Sequence, residues 1–73
     1  MKTYRFSLIL TSAQCLAYYA GHIRYVLVWA DTGQKIQLHA EHFRPFMTHA
    51  GVSGRFELIT TAAGKFVQLK KIN

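Results

Sequence analysis

The chain has 73 residues and a net charge of +6, because nine lysines and arginines face three acidic residues. This length allows one domain, residues 1–73, and folding would bury roughly 60 per cent of the unfolded surface, which is a marginal fraction. The single cysteine, Cys15, excludes an intramolecular disulfide and favours a cytoplasmic location. No apolar run is long enough to span a bilayer, and the alternating start does not predict a signal peptide, so we expect no membrane partner.

The start of the sequence predicts a strand followed by a short helix. Residues Lys2–Leu10 alternate between apolar and polar side chains, as in a half-buried strand. Thr11 has capping-box spacing to Gln14, so we expect a helix over Ala13–Ala20, with Gly21 as its C-terminal stop. A helix this short needs packing to persist. The side that we expect to pack on the sheet carries Cys15, Leu16 and Tyr19.

The remainder predicts two hairpins. Ile23–Ala30 is apolar on both sides, which is typical of a central strand covered on both faces. Asp31–Gln34 is a turn, after which Lys35–His39 returns as the partner strand. The second hairpin is expected from Gly54–Thr60 and Lys65–Ile72.

Residues 40–51 connect the two hairpins and are unusually bulky for a connection. Pro45 lacks an amide hydrogen and disfavours helix at the residue before it. We therefore expect at most one helical turn around Glu41–Arg44, followed by an irregular segment.

These elements predict an α+β fold with the order β-α-β-β-β-β. About five mostly antiparallel strands should form a strongly bent sheet or a small, partly open barrel, because a flat sheet with one short helix leaves a face uncovered. The expected core consists of Phe6, Leu8, Leu16, Tyr25, Leu27, Ile36, Leu38, Phe56, Leu58 and Val67.

Several short motifs resemble a known family. Residues 40–56 contain Glu41, Arg44-Pro45-Phe46, Thr48-His49, Gly51 and Gly54-Arg55-Phe56. The chain also opens with Tyr4-Arg5-Phe6 and carries Tyr18-Tyr19 in the expected helix. In these motifs, and over nearly its whole length, the sequence resembles the small bacterial proteins grouped as domain of unknown function 2835. The resemblance implies a stand-alone bacterial domain and assigns no activity to any residue.

Catalysis is not expected from these residues. The three acidic residues, Asp31, Glu41 and Glu57, fall in separate elements, so no close carboxylate pair is predicted. Cys15 lies on the apolar side of the expected helix, where a free cysteine behaves as a small hydrophobe. We therefore predict a non-enzymatic protein without a cofactor.

Histidines form the densest group of metal-ligating residue types. Imidazole nitrogens suit zinc, so His39, His42 and His49 are weak candidates for ligands. Structural zinc sites usually include cysteine, however, and none lies nearby in the sequence. We expect no metal site and interpret these side chains as surface or loop-ordering histidines.

A binding surface is the function that the sequence favours. The connection places Arg44 between Phe43 and Phe46, and arginine and aromatic side chains are enriched at binding hot spots. Such side chains also stack on unpaired bases, although the two rings could instead plug the open end of a curved sheet. The other basic residues expected on the binding surface are Arg24, Lys35 and Arg55.

Two functions stay open at this point. The first is a protein-interaction or self-association module that uses an apolar face or an exposed sheet edge. The alternative is single-stranded nucleic-acid binding, to RNA above all, through a basic and aromatic surface. Convergence of basic side chains and exposed aromatics on one face would favour nucleic acid, whereas an apolar patch repeated across a two-fold axis would favour self-association.

Overall fold

The computed structural model describes residues 1–73 and confirms the predicted α+β class and element order. The strands form two antiparallel sheets, of order β1-β4-β5 and β2-β3, which do not close into a barrel. Neither helix has the length and hydrophobicity needed to cross a membrane. The elements are β1 (Lys2–Leu10), α1 (Ser12–Tyr19), β2 (Tyr25–Trp29), β3 (Lys35–His39), a 3₁₀ helix (Ala40–Phe46), β4 (Val52–Thr60) and β5 (Phe66–Lys71).

Both ends of α1 follow the local signals in the sequence. The Thr11 hydroxyl accepts a hydrogen bond from the Gln14 amide, and the Gln14 side chain accepts one from the Thr11 amide, which completes a capping box. At the other end, the amides of Gly21 and His22 donate to the Tyr18 and Ala17 carbonyls, as in a Schellman motif. Gly21 has a φ of 84°, which a residue with a Cβ atom rarely adopts.

The packing side of α1 differs from the expectation. Cys15 is buried as predicted, but Leu16 and Tyr19 are exposed, with 69% and 58% of their surface accessible. Tyr18, rather than either of these, packs partly buried against the core beside Cys15. A helix of eight residues buries only a narrow stripe, and residues three apart share that stripe as readily as residues four apart.

The face of β2 that enters the core was also predicted wrongly. Its buried side chains are Val26 and Val28, whereas Tyr25 and Leu27 point to solvent. Strand β2 pairs only with β3, and no element covers the other side of this hairpin, so β2 is not a central strand covered on both faces. Val67 in the edge strand β5 is likewise exposed rather than buried.

Phenylalanine side chains join the three-stranded sheet to the connection in the core. Phe6 and Phe56 stack at 5.8 Å between centroids, and Phe43 contacts both rings edge-on at 6.3 and 5.6 Å. All three are fully buried, and Phe46 adds an edge contact to Phe56 at 5.2 Å. The 3₁₀ helix that carries Phe43 and Phe46 is longer than the single turn expected, and Pro45 lies inside its last turn, where its missing donor removes one bond.

The turn before β4 generates a prediction about stability. Gly51 has a φ of 96°, and a Cβ atom there would overlap the Leu10 carbonyl oxygen. Gly64 has a similar φ of 89° but no atom near its missing Cβ. In denaturant titrations, Gly64→Ala should therefore lower the free energy of unfolding by about 1–2 kcal/mol through backbone strain alone. Gly51→Ala should cost about 2 kcal/mol or more beyond that, and equal losses would contradict the close approach.

Candidate functional site

Two ion-pair networks, one within the three-stranded sheet and one between that sheet and the β2-β3 turn, neutralise two of the three acidic residues. Arg55 binds Asp31 in a bidentate pair and also donates to the Ser7 hydroxyl at 3.0 Å. Glu57 accepts from Arg5 at 3.0 Å and lies 3.4 Å from the Lys70 amine. Arg55, which was expected to contact a ligand, is therefore engaged within the protein.

The cations outside these networks carry the net positive charge. Of the three acidic residues, only Glu41 has no ion pair, so it is the sole carboxylate side chain left without a basic partner. Six basic side chains have no acidic partner. Two of them, Arg24 and Lys35, lie next to or within the β2-β3 sheet. The six are Lys2, Arg24, Lys35, Arg44, Lys65 and Lys71.

The outer side of the β2-β3 hairpin gathers aromatic and basic side chains on one surface. Three cross-strand pairs form it, and every member is exposed. In the first pair the Tyr25 and His39 rings lie 4.8 Å apart, and in the last the Lys35 amine lies 5.9 Å from the centre of the Trp29 ring. We call this surface the hairpin face, and it consists of Tyr25, Leu27, Trp29, Lys35, Gln37 and His39.

A run of rings extends the hairpin face toward the other sheet. The His39 ring lies 6.1 Å from the His42 ring, and His42 stacks flat on Phe66 at 3.7 Å. A small crevice of about 180 Å³ opens here, between β3 and the start of β5. Lys65, which has no acidic partner, directly precedes Phe66 in the sequence, so a positive charge lies next to the last ring of this run.

The structure separates the residues that were predicted to bind together. Phe43 is fully buried and Phe46 half-buried, so these rings plug the core and are not available to a ligand. Arg44 is exposed and makes no side-chain hydrogen bond, but it stands on the 3₁₀ helix rather than between accessible rings. Lys35 lies on the hairpin face, and Arg24 directly precedes its Tyr25.

Tyr25 and Trp29 are the surface aromatics that sequence reasoning missed. Both were assigned to a covered strand because β2 is apolar on both sides. The small number of helices in the predicted fold could have identified them as exposed. A chain with one short helix cannot cover both sides of every strand, and tryptophan with tyrosine on an uncovered side is a typical binding surface.

The histidines are divided between two parts of the molecule. His39 and His42 belong to the hairpin face and its extension, whereas His49 lies beside α1, next to Cys15 and Tyr19. No three histidine, cysteine or acidic side chains come together in a metal-binding group. The arrangement therefore offers stacking, cationic contact and hydrogen bonding, which are the elements of a binding surface.

Comparison with known proteins gives one match. The family model described as "Protein of unknown function (DUF2835)" matches residues 2–72, which is nearly the whole chain. The chain therefore belongs to this family, as the sequence motifs indicated. No curated protein and no solved structure matches it.

The ion pairs make stability depend on pH. The hydrogen bond from Arg55 lowers the pKa of Asp31, and that from Arg5, followed by Lys70, lowers the pKa of Glu57. Stabilisation by a carboxylate with a depressed pKa is complete above its unfolded value of about 4 and is lost as pH falls through the folded value. The free energy of unfolding should therefore decline on acidification below about pH 4.

Variants test the origin of this decline in denaturant titrations at a series of pH values. Asp31→Asn and Glu57→Gln should each reduce the dependence of the free energy of unfolding on pH. The reduction should be modest, because the ion pairs are partly solvated. Glu41→Gln is the matched control, since Glu41 has no ion pair and should leave the slope unchanged. A slope that responds equally to all three substitutions would contradict this assignment.

Adjacent residues on the 3₁₀ helix should respond to truncation very differently. Phe43→Ala removes a fully buried ring from the core cluster and should cost about 3–5 kcal/mol or prevent folding. Arg44→Ala should change the free energy of unfolding by less than about 0.5 kcal/mol, because the side chain is exposed and unbonded. A large loss on removing Arg44, measured by thermal or chemical denaturation, would make that side chain structural.

Proposed function

We propose that this chain, a member of a family of unknown function, binds single-stranded nucleic acid through the hairpin face. The observation that carries the proposal is the exposure of Tyr25 and Trp29 on the same surface as Lys35 and His39. Flat rings stack on unpaired bases, and neighbouring cations attract the phosphates that accompany them.

The spacing of the hairpin face suits consecutive bases. Alternate residues of a strand lie about 6.6–6.8 Å apart, so Tyr25, Leu27 and Trp29 form a row of three apolar contacts at that interval. An extended single strand with its bases unstacked can place successive bases at a comparable interval. The row therefore accommodates about three nucleotides, with the outer two stacked on the aromatic rings.

The charge around the row favours a polyanion. Lys35 and Arg24 flank it without acidic partners, and Asp31 in the turn after β2 is neutralised by Arg55. Glu41, two residues after His39, is the one unpaired carboxylate nearby. The positive charge is therefore concentrated at the Arg24 and Lys35 positions. Such a field attracts phosphate and releases counterions on binding, which makes affinity depend on salt. The proposal needs no catalytic group, cofactor or metal, and a cytoplasmic location remains part of it.

RNA is the preferred ligand in this proposal. A shallow, exposed row of rings reads unpaired bases rather than duplex grooves, and unpaired segments are abundant in RNA loops and ends. The polar members Gln37 and His39 lie beside the ring row, where they can donate to or accept from base edges and 2′-hydroxyls.

Binding can be measured by fluorescence anisotropy with labelled oligouridine and oligothymidine of about twelve nucleotides, within the usual range of site sizes. Binding is expected at low salt and should weaken steeply as salt rises. Trp29 is the only tryptophan, so quenching of its fluorescence should accompany binding and report stacking directly. Tyr25→Ala and Trp29→Ala should each reduce affinity about tenfold, because each stacked base is worth about 1–3 kcal/mol.

Matched variants separate this site from general attraction to a basic protein. Tyr19→Ala removes a tyrosine on α1 that is as exposed as Tyr25, and it should leave affinity unchanged. Lys35→Gln should lower the slope of affinity against salt by about one counterion. No binding at low salt, or equal losses for the two tyrosines, would overturn the proposal. Binding of a protein partner to the hairpin face would instead survive high salt.

A further inference from the structure

Two segments of this basic chain contain no charged residue. The sequence contains no lysine, arginine, aspartate or glutamate between Arg5 and Arg24, or between Arg44 and Arg55. The structure brings these two uncharged segments together, because Gly51 packs directly against the backbone at Leu10, where β1 leads into α1. The result is a surface without formal charge, built from α1 and the turn that precedes β4.

This surface, which we call the charge-free face, contains a groove. The groove has a volume of about 450 Å³ and lies between α1 and the turn. Four of its seven lining residues are hydrophobic, and the seven are Ser12, Cys15, Leu16, Tyr19, Met47, Thr48 and His49. Leu16 and Tyr19 both line the groove and project from it, with more than half of each side chain exposed. A surface depleted of charge and enriched in aromatic, aliphatic and methionine side chains is the composition of an interface core.

We propose that two copies of this chain associate through the charge-free face, with α1 of one packing on α1 of the other. Two molecules that each carry a charge of +6 repel wherever their cations meet. The charge-free face is the side on which they can approach without placing like charges together. The face is also self-complementary. Helix α1 borders a groove and carries exposed side chains, so the side chains of one copy could enter the groove of the other, as a two-fold interface requires.

Other occupants fit the face less well. The residues that line the groove include no lysine or arginine, so they offer no cation to phosphate or to an anionic membrane surface.

Sedimentation velocity across a micromolar to millimolar concentration series tests this proposal on the intact chain. A monomer–dimer equilibrium is expected, and added salt should strengthen it, because screening reduces repulsion between the cationic copies. Leu16→Lys places a like charge in the centre of the interface and should raise the dimer dissociation constant at least about tenfold.

A matched substitution and an independent readout decide the location of the interface. Leu27→Lys adds the same charge at a comparably exposed leucine of the hairpin face and should leave the dimer dissociation constant nearly unchanged. Circular dichroism melts confirm that both variants fold. A chain that stays monomeric throughout, or a dimer that resists Leu16→Lys, would overturn the proposal; a dimer lost only in Leu27→Lys would move the interface to the other face.

The inference does not depend on the proposed nucleic-acid binding, and the two can fail separately. Salt should strengthen association between copies and weaken binding of an oligonucleotide. Leu16→Lys should weaken the dimer while oligonucleotide quenching of Trp29 persists in the monomer. Failure of nucleic-acid binding would leave the sedimentation result intact, and monomeric protein would leave the quenching result intact.

Discussion

Contact among Phe6, Phe43 and Phe56 is the constraint on which the rest of the fold depends. Each ring comes from a different part of the chain, namely β1, the 3₁₀ helix and β4, and all three are fully buried. A chain of this size has no disulfide and little further core, so most of its apolar stabilisation must come from this cluster and the valines that pack on it. Because Phe43 of the connection packs into this core and Phe46 packs partly buried against it, these rings contribute little to the protein surface.

That constraint decides where exposed apolar side chains remain. The buried side of the β2-β3 hairpin packs toward the phenylalanine cluster, and the only α helix lies elsewhere, so nothing covers Tyr25, Leu27 and Trp29. The arginines divide in the same way. Arg5 is paired with Glu57 within the three-stranded sheet and Arg55 with Asp31 of the β2-β3 turn, whereas Arg24, like Lys35, stays unpaired beside the uncovered aromatics. Aromatic exposure and free positive charge therefore coincide as a consequence of how the core is filled.

Local signals predicted the elements well, and their packing poorly. The bounds of β1 and β3 and both ends of α1 follow from alternation and capping, which neighbouring residues determine. The buried side of β2 could not be predicted from the sequence. Valines alternate with tyrosine, leucine and tryptophan along the strand, and either set of side chains could fill a core. The pairing of Arg5 with Glu57 depends on β1 and β4 lying side by side, and that of Arg55 with Asp31 depends on the β2-β3 turn reaching β1. No spacing in the sequence reveals either contact. The exposed side of β2 and the ion pair of Arg55 were therefore not predicted, because both depend on long-range packing rather than on local propensity.

The two uncovered surfaces lie on different elements and differ in charge, so their proposed roles are compatible. The hairpin face combines aromatic rings with Lys35 and the adjacent Arg24, whereas the charge-free face has no lysine or arginine among its residues. Association through α1 would leave both hairpin faces accessible and would link them within one particle. A nucleic acid long enough to reach both would then bind the second face at a high effective concentration, and its affinity would exceed that of a short oligomer without any new contact. A single row of three contacts is a small site, and the proposed pairing of two copies would give such a small domain a physical route to higher affinity.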